Sequence, residues 1–285
     1  MAVISPSGTA MSTAPTVTTK TDPASWAKRT RAVAKVAAEL YINRFKKSTV
    51  KTLGIVWGRT HRAIIDAIVQ ARPRLKHITC VALYGEPIWH KEHSHDTDSS
   101  TLAHDLAQAT QATAVPLSPV PASIPKSFSQ DAELLRKFFH RLPNYQKAIA
   151  YFDKLDAIIC GVGAVADTAW ANQSTREDFE GMKRGEWPKK VLGIFAGWYF
   201  AQPGYEDTIA EINARSLGAH LDYFKTCYAK AAASNGDCPG VLVAAHGKGK
   251  APILAHVIKR KCINHLVLDY DLARGLLALA RSHSG

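Results

Sequence analysis

Two short stretches of the chain combine residue types that grip anions. In Trp57-Gly58-Arg59-Thr60 a glycine, a guanidinium and a hydroxyl stand where the apolar run Thr52 to Val56 gives way to helical spacing. The backbone N–H groups of such a turn, with the positive end of the helix behind it, converge on a phosphate or carboxylate. The G-K-[ST] ending of a nucleotide P-loop is missing, so the chemistry alone reads either as an anion turn or as a structural one. His246-Gly247-Lys248-Gly249-Lys250 follows the apolar run Val241 to Ala245 and sets two lysines among glycines, one of them expected to face a crevice. Asp269 ends the run Leu266 to Asp269, where it either accepts hydrogen bonds from sugar hydroxyls or caps the helix starting near Leu272. Gly161-Val162-Gly163 invites a dinucleotide reading, but Ala166 holds the third glycine position and no matching acid ends the next strand. His90, Glu92, His93, His95 and Asp96 crowd together in what reads as an exposed polar loop rather than a metal site. Neither G-x-S-x-G nor H-E-x-x-H occurs, and Cys80 and Cys160 lie inside apolar runs as core residues. No metal and no cofactor is expected.

These candidates all sit where a strand is predicted to end. From Trp26 to Phe45 the apolar residues Val33, Val36, Ala37, Leu40, Tyr41 and Phe45 recur at three and four residue steps, which predicts an amphipathic helix. Strands are expected at 52–56, 78–84, 114–117, 157–160, 191–195, 241–245 and 266–269. Helices are expected at 61–70, 101–110, 132–139, 145–152, 217–233, 251–259 and 272–281. Strands apolar on both faces that alternate with helices specify an α/β fold, a mostly parallel sheet with helices on both faces. Ligands of such folds bind beyond the carboxyl ends of the strands.

Composition excludes other classes. With 285 residues, 46% of them hydrophobic and 21% charged, the chain has ordinary globular makeup. No apolar run of about 18 residues is present, so no membrane span is expected. Five cysteines without a C-x-x-C pair suggest neither a disulfide framework nor a zinc knuckle, which places the protein in a reducing compartment, the cytoplasm by default. The formal charge is +12, and residues 1–50 hold eight Lys or Arg against Asp22 and Glu39. Three parts follow: a disordered tail over 1–24 rich in Ser, Thr, Ala and Pro, a basic amphipathic helix over 25–50, and an α/β domain over 51–285.

Five of these pieces, taken in order, carry a resemblance. Ala37-Ala38-Glu39-Leu40 lies in the first helix, followed by LGIVWGRT (Leu53 to Thr60) and LDAIICGVG (Leu155 to Gly163). Ala245-His246-Gly247-Lys248-Gly249-Lys250 and INHLVLDYDLARGLL (Ile263 to Leu277) complete the set. Together they resemble the SorC/DeoR-type sugar-binding effector domains of bacterial transcriptional regulators, over about residues 30 to 285. The resemblance implies a fold similar to the phosphosugar isomerases, with a sugar or sugar phosphate held at the carboxyl edge of the sheet. Carried over by position, Gly58, Arg59 and Thr60 cradle the phosphate, and Lys250 pairs with it or with a sugar oxygen. Asp269 and the Gly85-Glu86 turn then line the sugar side.

The chain departs from the family pattern in four places. His61 stands where a second threonine is common, Ile194 replaces an acid beside Gly193, and His246 replaces the first glycine of a pair. The stretch ahead of the basic helix is also too short for the family's helix-turn-helix head. The expectation is therefore a ligand sensor, assembled as a homo-oligomer and acting through a partner, with nucleic acid touched only nonspecifically through residues 28–47. The alternative is a sugar-phosphate isomerase or aldolase with Lys250 as base or Schiff-base amine and Asp269 or Glu86 as acid.

Overall fold

Runs such as AIIC at 157–160 and GVLVAA at 240–245 are apolar at every position, which suits a strand covered on both sides. They form the middle of a parallel sheet in the computed structural model, which describes residues 2–4, 23–85, 97–117, 120–164 and 187–282. The chain begins β1 (Ala2–Ile4), α1 (Pro23–Lys47), β2 (Thr52–Ile55), α2 (Arg59–Ala71), β3 (Thr79–Ala82), α3 (Ser99–Thr110) and β4 (Thr113–Val115). It continues α4 (Ala132–Phe139), α5 (Pro143–Ile149), β5 (Ala157–Cys160), β6 (Val162–Gly163), α6 (Trp187–Lys190), β7 (Val191–Phe195) and β8 (Trp198–Ala201). The last elements are α7 (Glu206–Ala214), α8 (Leu221–Ala233), β9 (Gly240–Ala245), α9 (Ala251–Lys259), β10 (His265–Asp269) and α10 (Tyr270–Ser282).

The main sheet has seven strands in the order β1-β10-β9-β5-β2-β3-β4, every pair parallel, with helices packed around it. From β2 the chain moves outward through β3 to β4, then returns to β5 on the other side and moves outward again through β9 and β10. The strand order reverses between β2 and β5, and in open α/β sheets that switch point opens a crevice at the carboxyl ends.

Helix α1 buries Val33, Ala34, Ala37, Ala38, Tyr41 and Phe45 and turns Lys28, Arg31, Lys35, Glu39 and Lys46 to solvent. Among the described residues no helix is long and apolar enough to cross a membrane. All five cysteines are free, and burial pushes the Cys80 thiol up to about 12, as expected of a core residue.

Three features differ from the sequence expectation. Ala2–Ile4, placed in the structureless tail, pair with Val267–Asp269 as an edge strand; an apolar triplet with two β-branched residues satisfies an otherwise open edge. Residues 5–22 lie outside the described residues. A small antiparallel sheet, β6-β7-β8, was not expected beyond β7. Its β7-β8 hairpin turns at Ala196 (φ 49°) and Gly197 (φ 87°), two successive left-handed residues whose twist matches that of the strands. The segment after this hairpin, absent from the expected helices, is helix α7, which closes a second small core of Val191, Ile194, Tyr199, Ile209 and Ile212. Ile194, standing where the family has an acid, belongs to that core.

Candidate functional site

The strand order sets the candidate residues along one edge. Asp269 ends β10, His246 to Lys250 follow β9, Gly161 follows β5, Trp57 to Thr60 follow β2, and Gly85 lies just beyond β3. Gly58 and His61 on one side and Gly161 on the other therefore flank the switch point.

Helix α2 begins without a side-chain cap. Its N-cap is Gly58, whose φ of 140° a side chain would strain, and Gly58 N–H donates to the Thr97 carbonyl at 2.9 Å. The first-turn N–H groups of Arg59, Thr60 and His61 have no intrahelical acceptor, so they and the positive helix end face the edge. His61 is 3% exposed. Its Nδ1–H donates to the Trp57 carbonyl at 2.9 Å, which leaves the Nε2 lone pair with no hydrogen-bond partner among the described residues. Burial holds this imidazole below its ordinary pKa; the Lys250 ammonium adds to that, and the carbonyls of Trp57, Cys160 and Val56 oppose it. A Cβ on Gly161 would come within 3.1 Å of His61 Nε2, so the first glycine of Gly161-Val162-Gly163 makes room for His61. That explains the motif without a dinucleotide.

The lysine loop and the start of α1 meet around His246. Thr30 Oγ1 donates its one proton to the Trp26 carbonyl at 3.0 Å, so it accepts from His246 Nε2–H at 2.9 Å. Trp26 presents to His246 edge to face, with ring centroids 5.1 Å apart, and the Arg59 guanidinium lies 4.6 Å over the Trp26 ring. Arg29 Nη1 donates to Asp271 at 2.7 Å and to Asp269 at 3.4 Å. Lys248 is exposed, whereas Lys250 is turned inward and buried. Burial, and then the positive charges of Lys250, Arg29 and Arg59, push His246 down to about 3.

Asp269 is 2% exposed, and both its oxygens are occupied. Gly247 N–H donates to each at 3.2 Å, and Leu272 N–H donates to Oδ1 at 3.0 Å. Of the two roles open in sequence, the helix cap is the one the geometry contains, and the same carboxylate pins the lysine loop. Gly85 is also set by packing, because a Cβ there would fall 2.0 Å from the Val120 carbonyl oxygen. Glu86 and the group His90, Glu92, His93, His95 and Asp96 lie outside the described residues. Among the described residues no group of His, Cys, Asp or Glu could hold a metal ion.

Trp26 went unassigned in sequence, and Arg29 and Thr30 were read only as part of the basic helix that touches nucleic acid nonspecifically. A signal was present: at steps of three and four residues they continue toward the N-terminus the stripe that buries Val33 and Ala37.

A family model for the sugar-binding domain (Sugar-bind) matches residues 15–278. The chain belongs to this sugar-binding domain family. Its fold is shared with solved SorC/DeoR-type regulators. A DeoR family transcriptional regulator from Listeria monocytogenes matches with TM-score 0.64 and 22% identity over 88% of each chain. The full-length sorbitol operon regulator SorC from Klebsiella pneumoniae matches with TM-score 0.67 and 20% identity, over 87% of this chain and 72% of that one. A transcriptional regulator from Streptococcus pneumoniae TIGR4 matches with TM-score 0.65 and 16% identity, over 93% and 90%. No curated protein matches the chain.

Burial of His246 makes stability depend on pH. In the unfolded chain this histidine takes up a proton below about pH 6.5. In the fold it stays neutral down to about pH 3. The unfolded state therefore binds more protons across that window, and stability drops by about 1.4 kcal/mol per unit of falling pH for this group alone. His61 acts in the same sense. Urea unfolding between pH 7 and pH 5 should show an average slope shallower by about 0.7 proton in His246→Gln than in the wild type. Identical slopes would assign the acid sensitivity elsewhere.

Proposed function

We propose that this domain is a sensor that holds a phosphorylated sugar in the crevice at the β2-β5 switch point and passes its occupancy on through α1. The observation that carries the reading is the cluster at the lysine loop, where Arg59 lies over the Trp26 ring that packs edge to face on His246, with Arg29 on the same face of α1 as Trp26 and the buried Lys250 in the same loop as His246, beside the uncapped start of α2. Arg59 and Lys250 at a partly desolvated edge favour an anionic guest, and Arg29, shared between Asp271 and Asp269, can be drawn toward it, so that a phosphate takes charge-assisted bonds from these side chains. Thr60 and the first-turn N–H groups of α2 complete the cradle.

Asp269 supports sensing over turnover, since its oxygens are held by two main-chain amides and Arg29 rather than left to move a proton. Helix α1 supplies the output route. Its first two turns close the crevice through Trp26, Arg29 and Thr30, so an anion that draws Arg29 or Arg59 away from Asp271 or Trp26 changes how the start of α1 is held. The solvent face of the same helix, with Lys28, Arg31, Lys35 and Lys46, offers a salt-dependent contact to polyanions.

A thermal-shift series with sugar phosphates, their unphosphorylated parents and inorganic phosphate tests the reading. A ligand at 100 times its Kd stabilises by about 2.7 kcal/mol, a readily measured rise in Tm. Phosphorylated sugars should raise Tm and their parents should not. Equal shifts from phosphorylated and unphosphorylated sugars, or none from either, would overturn the proposal.

A further inference from the structure

Residues 126–149, the 3-10 turn Lys126–Asp131 followed by α4 and α5, are anchored on one side and bare on the other. On the inner side Leu135, Phe139 and Leu142 pack against the main core, Arg136 donates to the Ala214 carbonyl, and Tyr145 Oη donates to the Leu217 carbonyl at 2.9 Å. On the outer side Phe128 is 51% exposed, Leu134 67% and Phe138 56%. Half of the six exposed large hydrophobic side chains among the described residues thus fall within this one stretch. Leu134 and Phe138, one helical turn apart, form a ridge on a helix none of whose residues is fully buried.

The charge around this ridge is positive. The stretch holds five Lys or Arg against Asp131 and Glu133, and Glu133 is already paired with Lys137 at 2.8 Å within the helix. That leaves Lys126, Arg136, Arg141 and Lys147 against Asp131, with Lys126, Arg141 and Lys147 exposed to solvent.

We propose that this face docks an acidic amphipathic helix of a partner protein, whose apolar residues seat on Phe128, Leu134 and Phe138 while its carboxylates meet Lys126, Arg141 and Lys147. Apolar ridge and cationic margin select this occupant together. A second copy would bring the same cations to the same place and set like charges face to face. A duplex phosphate backbone would gain nothing from two phenylalanines and a leucine. A lipid surface calls for a broad apolar face, whereas α4 turns Leu135 and Phe139 inward and shows a narrow ridge beside two acids. A helix laid along that ridge brings apolar residues to it at three and four residue steps and carries its acids along the margins. The three side chains expose about 300 Å² of apolar surface, less than half of the roughly 800 Å² per partner of a standard interface, which suits one docked helix held reversibly. None of these residues belongs to the crevice, so docking here holds whether or not the crevice takes a phosphate.

Fluorescence anisotropy of the full chain with a labelled helical peptide of Glu, Ala and Leu, about 18 residues long with Leu at three and four residue steps, tests the proposal. A twin with Lys in place of every Glu is the comparison. The acidic peptide should bind, and the basic twin should bind at least about tenfold more weakly. Leu134→Ser and Phe138→Ser should each weaken the acidic peptide at least about tenfold with Tm unchanged, since both side chains are exposed. The double variant Arg141→Glu, Lys147→Glu should weaken the acidic peptide and strengthen the basic twin, a reversal that neither misfolding nor apolar contact alone produces. No binding of the acidic peptide, equal binding of the two peptides, or indifference to both serine variants would each overturn the proposal. Sedimentation of the chain without peptide and flotation with anionic phospholipid vesicles address the other occupants. A dimer or a vesicle contact abolished by Phe138→Ser would give this face to a second copy or to lipid instead.

Discussion

Replacing Gly85 with alanine should lower Tm by about 6–12 °C, the consequence of losing at least about 3 kcal/mol in a chain of this size. The added Cβ would lie 2.0 Å from the Val120 carbonyl oxygen and 2.6 Å from that of Pro121. Both are backbone atoms, so no rotamer change relieves the clash. The segment cannot slide away either. Ile124 N–H donates to the Arg215 carbonyl at 2.9 Å, Leu217 N–H donates to the Ala122 carbonyl at 3.0 Å, and the Arg215 guanidinium returns to the Ile124 carbonyl at 2.8 Å. Gly249→Ala is the control, because a Cβ there meets only Ala164 Cβ at 3.9 Å, and its Tm should stay near the wild-type value. An unchanged Tm for Gly85→Ala would mean that the 120–125 segment is not held where these bonds place it.

Lys250→Met should weaken recognition of the phosphate about 100-fold while leaving a folded protein. The substitution keeps the length and apolar stem of a side chain that is 9% exposed and removes a charge that helps to hold both His61 and His246 below the ordinary histidine range. A buried charge-assisted contact to a phosphate contributes about 2–4 kcal/mol when one partner is truncated, so affinity for a sugar phosphate should fall about 100-fold. Calorimetric titration of wild type and variant with the sugar phosphate that raises Tm most measures the ratio. An affinity reduced less than about threefold would place the anion elsewhere on the edge. The substitution also removes one cation from the field around His246, so the pKa of that histidine should rise from about 3. The rise is readable from the pH dependence of stability without any ligand.

Much of the architecture was legible in the residues because it is written locally. Apolar runs of four to six residues such as AIIC and GVLVAA can be little other than buried strands, and glycines close them. The three and four residue steps of Val33, Ala37 and Tyr41 define α1 wherever it docks. The turn at Gly58, Arg59 and Thr60 and the lysine loop ending at Lys250 follow from the same logic, because a parallel sheet sends every strand end to one edge.

What no local pattern contains is which element meets which. Periodicity showed that α1 has a buried face, but only tertiary packing turned Trp26, Arg29 and Thr30 onto His246 and Asp271. Asp269 looked equally suited to a sugar hydroxyl and to a helix cap until the fold brought the Gly247 and Leu272 amides to it. Gly85 reads in the sequence as half of a ligand turn, and only the fold shows that Val120 and Pro121, more than thirty residues on, also lie against its Cα. The sequence by itself determined the elements and the edge where the chemistry gathers, since both depend on spacing along the chain. Which neighbours each of those residues meets at that edge follows only from the tertiary structure, since burial and hydrogen bonding depend on residues far apart in sequence.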